Sequence, residues 1–319
     1  MKRRDFITLL GGAAWPLAAR AQAYPSRPVH WIVSFAAGGP NDIVARIVGQ
    51  YLSDHLGQQF VIENRAGAAG NVGMQSALNS APDGYTIAFV GPNYAINPAL
   101  YDKLPFDFIR DSVPVAGIMR LANVMDVNPT FPANNLAEFI AYAKANPGKI
   151  NFGSGGVGTS PHLSGELLKT MAGINLVHVP YRGTAPAFTD LLAGQVQVVF
   201  DNIPGSIGHI KTGKVRALGV TAPKRVAAIP DVPTIGETVP GYEVSIWYGI
   251  AAPTGTPPAI VEKLNQAVNA VLADPKLQTR LAELAGEPMP MTPAEFGKLV
   301  AEETEKWGKV VRAANIKPQ

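Results

Sequence analysis

The amino-acid sequence predicts an α/β protein of two domains, each a mostly parallel β-sheet flanked by helices, with a ligand cleft between the domains. Three observations support this prediction. Short apolar runs alternate with amphipathic helical patterns along most of the 319 residues, as expected of βαβ units. Two of these units carry glycine-rich loops between strand and helix. Two long extended runs, residues 113–127 and 241–252, are each long enough to pass from one domain to another.

The first 23 residues predict an export signal. A Lys2-Arg3-Arg4 start precedes an apolar stretch over Phe6–Ala19, and Ala21-Gln22-Ala23 provides a small-residue cleavage site. The apolar stretch is short for a membrane-spanning helix and contains two glycines and a proline. We therefore expect a twin-arginine-type signal peptide over residues 1–23, cleavage near Ala23 and a periplasmic location.

Composition excludes several classes of function. Removal of residues 1–23 takes away four basic residues and one acidic residue, which leaves 23 of each. A nucleic-acid-binding surface needs clustered basic charge, and neither the total nor its distribution shows one. The sequence has no cysteine, which excludes disulfides, thiol nucleophiles and zinc–thiolate sites. The five histidines never occur at i, i+3 or i+4, so we expect neither a metal site nor a cofactor.

The first glycine loop follows a continuous apolar strand, Val29–Phe35. The loop contains Gly38, Gly39, Asn41 and Asp42, and an amphipathic helix follows from Ile43. We expect Asn41 or Asp42 to cap this helix. The backbone N–H groups of the loop would then converge at a helix N-terminus, which favours an anion.

The second glycine loop lies in a βαβ unit over residues 149–181. A strand over Ile150–Phe152 leads to four glycines, then to Thr159, Ser160 and His162, and a helix is predicted over Leu163–Met171. We expect Gly158, Thr159 and Ser160 to provide donors at a second helix N-terminus. His162 has two interpretations, packing against the loop or hydrogen bonding to a ligand carboxylate or its water.

The same glycines spell G-x-G-x-x-G at Gly153, Gly155 and Gly158, so a nicotinamide-dependent enzyme is an alternative. That fingerprint requires an acidic residue about 20 positions later, whereas the second strand leads into Val179-Pro180-Tyr181-Arg182-Gly183. Neither a G-x-S-x-G nucleophile turn nor a complete P-loop occurs. The sequence therefore favours a binding protein over an enzyme.

The two extended runs predict how the domains are connected. Domain 1 would comprise residues 24–123 and 243–319, and domain 2 would be an insertion over residues 124–242. Three helices finish the chain, and we expect them to pack on domain 1. Asn93 lies just past the third strand, where open α/β sheets place ligands, and is a candidate contact.

Several ordered motifs resemble one family over essentially the whole mature chain. They are Pro25-Ser26-Arg27-Pro28 with Ile32–Asp42, Glu63–Gly73, Pro82–Thr86, Gly155–Glu166, Val179–Gly183 and Trp307–Val311. The chain resembles the tripartite tricarboxylate transporter substrate-binding proteins, the Bug family of periplasmic solute receptors. The resemblance implies a two-domain periplasmic binding protein fold, type II-like, that closes on a carboxylate, most simply a dicarboxylate. It also implies delivery of the ligand to the membrane permease subunits of a tripartite tricarboxylate-type transporter.

The resemblance also implies a set of residues that bind the carboxylate through backbone groups and water. They are Phe35, Gly38, Gly39, Asn41 and Asp42 on one side, and Gly158, Thr159, His162, Tyr181 and Asp201 on the other. The chain departs from the family at Ala37, where proline is usual, and at Pro40-Asn41, where small or hydroxyl residues are usual. This departure leaves the identity of the carboxylate open. We expect the protein to be a monomer. An alternative role for the same fold is that of a ligand sensor that reports to a signalling partner.

Overall fold

The structure, a computed structural model, describes residues 24–101, 103–313 and 316. The predicted signal peptide lies outside the described residues. The strands are β1 (Val29–Val33), β2 (Phe60–Asn64), β3 (Thr86–Val90), β4 (Ser112–Val127), β5 (Asn151–Ser154), β6 (Val177–Pro180), β7 (Val198–Asn202), β8 (Arg216–Val220), β9 (Ser245–Pro253) and β10 (Glu287–Pro288). The helices are α1 (Pro40–Leu56), α2 (Asn71–Leu78), α3 (Asn93–Leu100), α4 (Phe108–Asp111), α5 (Leu136–Ala145), α6 (Ser160–Ala172), α7 (Thr184–Leu192), α8 (Ile203–Lys211), α9 (Pro258–Leu272), α10 (Pro275–Glu283) and α11 (Pro293–Ala313).

The strands form two parallel groups joined by antiparallel strands. The order is β2-β1-β3-β9-β4-β7-β5-β6, and β8 and β10 also pair with β4. Strand β1 is parallel to β2 and β3, and β5 is parallel to β6 and β7. Parallel strands joined by helices place all their carboxyl ends at the same edge of a sheet, where ligand-binding loops gather. The α/β fold predicted from the sequence is confirmed.

Strand β4 links the two groups. Its first part pairs with β9 from Ser112 to Ala122, and its last five residues pair with β7 from Asn123 to Val127. The long extended runs predicted at residues 113–127 and 241–252 correspond to β4 and β9. The domain boundaries predicted near residues 123 and 243 fall within β4 and just before β9.

The core covers both faces of the central strands. Trp31 and Phe89 pack with ring centroids 5.8 Å apart, and Phe89 contacts Tyr248 edge-on at 4.9 Å. Helix α11 packs against α3 and β4, and its Phe296 lies so close to Gly249 that a Cβ there would come within 2.1 Å of the ring. Glycine is therefore required at residue 249 for the last helix to lie on β9.

The described residues contain neither a membrane-spanning helix nor a cluster of metal-binding side chains. Between residues 24 and 313 there is no helix that is both long and apolar enough to cross a bilayer. The same part of the chain holds no group of three or more His, Asp or Glu side chains that could bind a metal ion.

Candidate functional site

A cavity lies where the loops that follow β1, β3, β5, β6 and β7 meet. It encloses about 420 Å³ of empty space, including its open mouth. The lining is mainly small, amide and hydroxyl residues, with no lysine, arginine, histidine or carboxylate. The lining residues are Phe35, Gly39, Pro40, Asn41, Gly91, Pro92, Asn93, Gly155, Thr159, Ser160, Pro161, Gly183, Thr184, Asn202 and Tyr248.

The structure divides the twelve candidate residues from the sequence into two sets of six. Those that line the cavity are Phe35, Gly39, Asn41, Asn93, Thr159 and Ser160. Those that do not line it are Gly38, Asp42, Gly158, His162, Tyr181 and Asp201. The second set lies next to the lining residues and supports them in three different ways.

Gly38 and Asp42 build the first glycine loop. Helix α1 begins at Pro40 with Gly39 as its N-cap, which corrects the prediction that Asn41 or Asp42 caps it. The Asp42 carboxylate instead accepts hydrogen bonds from the Gly38 N–H at 2.9 Å and from Arg46 Nε at 3.0 Å. Burial acts to raise the pKa of Asp42, but the hydrogen bonds from Arg46, Gly38 and Asn64 together hold that pKa below its usual value.

His162 supports the second glycine loop from behind. Its Nδ1 accepts a hydrogen bond from the Gly158 N–H at 3.2 Å, and its ring lies 4.2 Å from the ring of His178. Burial, together with the nearby His178 and Lys169, lowers the pKa of His162 to about 3. The ring is therefore neutral, with its proton on Nε2, and it offers no positive charge to a ligand.

Tyr181 and Asp201 bond to other protein groups and do not line the cavity. The Tyr181 hydroxyl donates to the carboxylate of Asp190 at 2.6 Å. Asp201 is fully buried beneath the cavity floor, and its carboxylate accepts from the N–H of Asn202 at 2.8 Å. Burial raises the pKa of Asp201 to about 7, so this acid is largely neutral below that pH.

Most backbone donors of the two loops already have partners inside the protein. The N–H groups of Gly39 and Thr159 bond to the carbonyls of Ala36 and Gly156 at 3.3 and 3.2 Å. The first-turn N–H groups of a helix have no carbonyl partner within their own helix. Asn41, in α1, and Ser160, in α6, are first-turn residues that line the cavity. Within the two glycine loops, these helix N-termini are backbone donors available to a ligand.

Three polar lining residues were missed by the sequence analysis. Asn202 ends β7, and Thr184 begins α7. Their positions at the carboxyl end of a strand and the start of a helix were signals that could have found them. Tyr248 lies inside β9, and no local signal marks it, because only the pairing of β9 with its neighbours decides which way its side chain points.

Direct contacts join the two sides of the cavity. The Ala36 N–H lies 3.3 Å from the Arg182 carbonyl oxygen. A Cβ at Gly183 would lie 3.1 Å from the Ala36 nitrogen, so only glycine lets these two backbones approach without displacement. The loop after β1 thus closes directly on the loop after β6.

Comparison with known proteins identifies the family. Residues 44–316 match the family model described as the tripartite tricarboxylate transporter family receptor. The chain belongs to this family. The receptor is 37% identical to the periplasmic binding protein BugD, whose structure superposes with a TM-score of 0.89 over 93% of this chain and 100% of BugD. The family predicted from the sequence is confirmed.

Two further solved structures resemble the receptor and carry ligands. One is an R. palustris protein with adipate, 38% identical, with a TM-score of 0.90 over 93% of this chain and 100% of that one. The other is MatC from Rhodopseudomonas palustris with bound malate, 35% identical, with a TM-score of 0.86 over 90% of this chain and 100% of MatC. These similarities confirm the two-domain periplasmic binding protein fold.

Proposed function

We propose that this receptor binds a small carboxylate, most simply a dicarboxylate, in the cavity between the N-termini of α1 and α6. The observation that carries the proposal is the meeting of these two helix N-termini in a cavity with no charged lining side chain. Each helix dipole stabilises an anion by about 0.3–1 kcal/mol, and by up to ~2 kcal/mol when the site is partly buried. A carboxylate is the simplest anion that such neutral donors accept.

The two ligand-bearing relatives support the same ligand class. Adipate and malate, present in those structures, are both dicarboxylates. Hydroxyl and amide groups such as those of Ser160, Asn41 and Asn93 can hold a carboxylate without an ion pair, which suits a ligand that must be released.

The residues that line the cavity favour ligand binding without catalysis. The lining contains no His, Asp, Glu, Lys or Cys, so its Ser and Thr hydroxyls have no lining general base to activate them as nucleophiles. In the second glycine loop the N–H groups of Gly156 and Gly158 already bond to Ser154 and His162, which leaves fewer backbone donors for a pyrophosphate. These observations favour a receptor over the nicotinamide-dependent enzyme.

A role in the periplasm follows from the family. Its description names a receptor of a tripartite tricarboxylate transporter, and BugD is a periplasmic binding protein. We therefore propose that the chain is exported by its twin-arginine-type signal, captures the carboxylate as a monomer, and delivers it to the permease subunits of such a transporter.

A thermal-unfolding screen tests the ligand class. The probes are acetate, succinate, adipate, malate and citrate, with NADH as the probe for the alternative function. A ligand at a hundredfold excess over its Kd should stabilise the protein by about 2.7 kcal/mol. If NADH alone raises the unfolding temperature, or if no carboxylate raises it, the proposal is contradicted.

A pair of variants locates the site. Asn41→Asp places a negative charge at the N-terminus of α1 inside the cavity, and we expect it to abolish the carboxylate shift. Asn135→Asp makes the same change at the N-cap of α5, outside the cavity lining, and should leave the shift intact. Because acidic groups stabilise helix N-termini, neither variant is expected to unfold the protein. Equal shifts in both variants would place the ligand elsewhere.

A further inference from the structure

A buried amide connects three elements beneath the cavity. Asn202, at the end of β7, accepts a hydrogen bond at its Oδ1 from the Tyr248 hydroxyl at 2.6 Å. Its Nδ2 donates to Asn123 Oδ1 and, at 3.2 Å, to the Ser160 hydroxyl. Asn202 is 6% exposed, so water does not compete for most of its polar surface.

The hydrogen bonds of Asn123 agree with this orientation of the amide. Asn123 donates from its Nδ2 to the Ser164 hydroxyl at 2.8 Å, and its Oδ1 is the acceptor that the Asn202 NH₂ group meets. The Asn202 carbonyl then faces Tyr248. In this arrangement the donors and acceptors of Asn123, Asn202, Ser160 and Tyr248 are matched.

The amide in turn sets what two hydroxyl groups offer to a ligand. Since Ser160 accepts from Asn202, its own proton is available to the cavity, and Ser160 presents a donor. Since Tyr248 donates to Asn202, its proton is engaged, and Tyr248 presents only oxygen lone pairs. Both side chains line the cavity, and both bond to the same amide, so one residue holds a donor and an acceptor of the lining.

We infer that Asn202 is a positioning residue that makes the site selective for carboxylates with an adjacent hydroxyl or ammonium group. Ser160 donates to a carboxylate oxygen, and Tyr248 accepts a hydrogen bond from the neighbouring hydroxyl or ammonium of the ligand. This inference rests on the proposed function and adds to it the class of carboxylate. An unsubstituted acid leaves the Tyr248 lone pairs without a ligand partner, which is costly in a buried site.

Calorimetry with succinate and malate tests the inference, because these two acids differ by one hydroxyl group beside a carboxylate. We expect the wild-type protein to bind malate at least about tenfold more tightly than succinate. Ser160→Ala should weaken both acids, by about 10–100-fold, as expected for loss of a hydrogen bond to a charged group. Tyr248→Phe should weaken malate alone and leave succinate within about twofold of the wild-type affinity.

Asn202 itself is tested through the ratio of the two affinities, which a general loss of stability does not change. Asn202→Ala should bring the malate-to-succinate ratio close to one, and adding Tyr248→Phe should lower it no further. Tyr242→Phe is the matched control, because its buried hydroxyl donates to the Ser164 carbonyl at 2.8 Å and does not line the cavity. This control should keep the wild-type ratio.

Three outcomes would overturn the inference. Equal weakening of both acids by Tyr248→Phe would mean that Tyr248 donates to the carboxylate and that the amide points the other way. Unchanged affinities in Ser160→Ala would have the same meaning. A wild-type protein that binds both acids equally refutes the selectivity and leaves the proposed function in place, whereas one that binds neither refutes the dicarboxylate receptor as well.

Discussion

The Tyr101 hydroxyl donates a hydrogen bond to the carbonyl oxygen of Val157 at 2.9 Å. Tyr101 is the C-cap residue that follows α3, and Val157 lies 56 residues later in the second glycine loop. One residue further, the Gly158 backbone approaches the side chains of Asn97 and Leu100 on the same helix. Helix α3 therefore contacts the loop that precedes α6 directly, and this contact helps to hold that loop in place beside the cavity.

Removing the Tyr101 hydroxyl should weaken ligand binding. Tyr101→Phe keeps the ring but removes one hydrogen bond, with a net value of about 0.5–1.5 kcal/mol. Because that bond forms only when the loop meets α3, we expect ligand affinity to fall by about 2–10-fold, mainly through faster dissociation. Stopped-flow release of bound carboxylate measures this rate. Tyr51→Phe, on α1 outside the cavity lining, is the control, and equal rates in the two variants would contradict the prediction.

A methyl group at residue 158 should sterically prevent the second glycine loop from packing against α3. A Cβ there would lie 2.3 Å from Asn97 Oδ1 and 3.1 Å from Leu100 Cδ1, at a φ of +90°. Asn97 cannot easily move, because it is buried and donates to Asn71 at 2.8 Å. We expect Gly158→Ala to reduce carboxylate affinity at least about tenfold, since closure must displace α3.

Gly173→Ala separates this clash from simple backbone strain. Gly173 also has a positive φ, +62°, but a Cβ there meets nothing within 4 Å. Both substitutions should lower the free energy of unfolding by about 1 kcal/mol or more through left-handed strain. Affinity measured by calorimetry should fall only for Gly158→Ala, and a similar fall for both would show that the Asn97 contact has no part in binding.

Asp42→Ala should loosen the first glycine loop. The carboxylate ties Gly38 to Arg46 on the first turns of α1, and its loss leaves the Gly38 N–H without that partner. We expect weaker carboxylate binding and a lower free energy of unfolding, by about 1–3 kcal/mol. Asp54→Ala removes an exposed carboxylate of the same helix, one that accepts only from Gln50 at 2.9 Å, and should change neither quantity.

The contribution of Asp42 to the free energy of unfolding also depends on pH in a defined way. The pKa of Asp42 is lower in the folded protein than its usual value. A lowered pKa of an acid stabilises the fold above the unfolded pKa, and this stabilisation is lost as pH falls through the folded pKa. The difference in unfolding free energy between wild type and Asp42→Ala should therefore be full near pH 7 and shrink below about pH 4. A difference that stays constant with pH would contradict this account.

The sequence could predict the elements and the loops, but not every contact between them. Local pattern was sufficient for β1, the glycine loops and the two long crossing strands, since apolar runs and Gly clusters are properties of neighbouring residues. Tyr248 could not be found in this way, because its direction depends on how β9 pairs with strands far away in the chain. Likewise, Asp42 and His162 were predicted as ligand contacts in the glycine loops, but only the folded backbone shows that each bonds to its own loop and does not line the cavity.

Two buried acids behind the cavity should make the protein less stable as pH rises. Burial raises the pKa of Asp201 to about 7 and raises that of the nearby, fully buried Asp126 well above its usual range. The folded protein then holds protons that the unfolded chain has lost, so stability is full below the unfolded pKa of about 4 and declines as pH rises toward the folded pKa. For Asp201 alone, the decline from pH 5 to pH 8 should be on the order of 2 kcal/mol.

Denaturant unfolding of the wild type and of Asp201→Asn, at pH 5 and pH 8, measures this decline in the free energy of unfolding. Asparagine at residue 201 keeps an oxygen acceptor for the Asn202 N–H and cannot ionise, so the decline should be smaller in the variant by about the amount assigned to Asp201. The comparison between the two proteins cancels the titration of groups that they share. Asp190→Asn is the control, because it changes a carboxylate that is bonded to Tyr181 outside the cavity lining. The same pH profile in wild type and Asp201→Asn would mean that the buried acid is not protonated in the folded protein, and that its negative charge lies directly beneath the proposed carboxylate site.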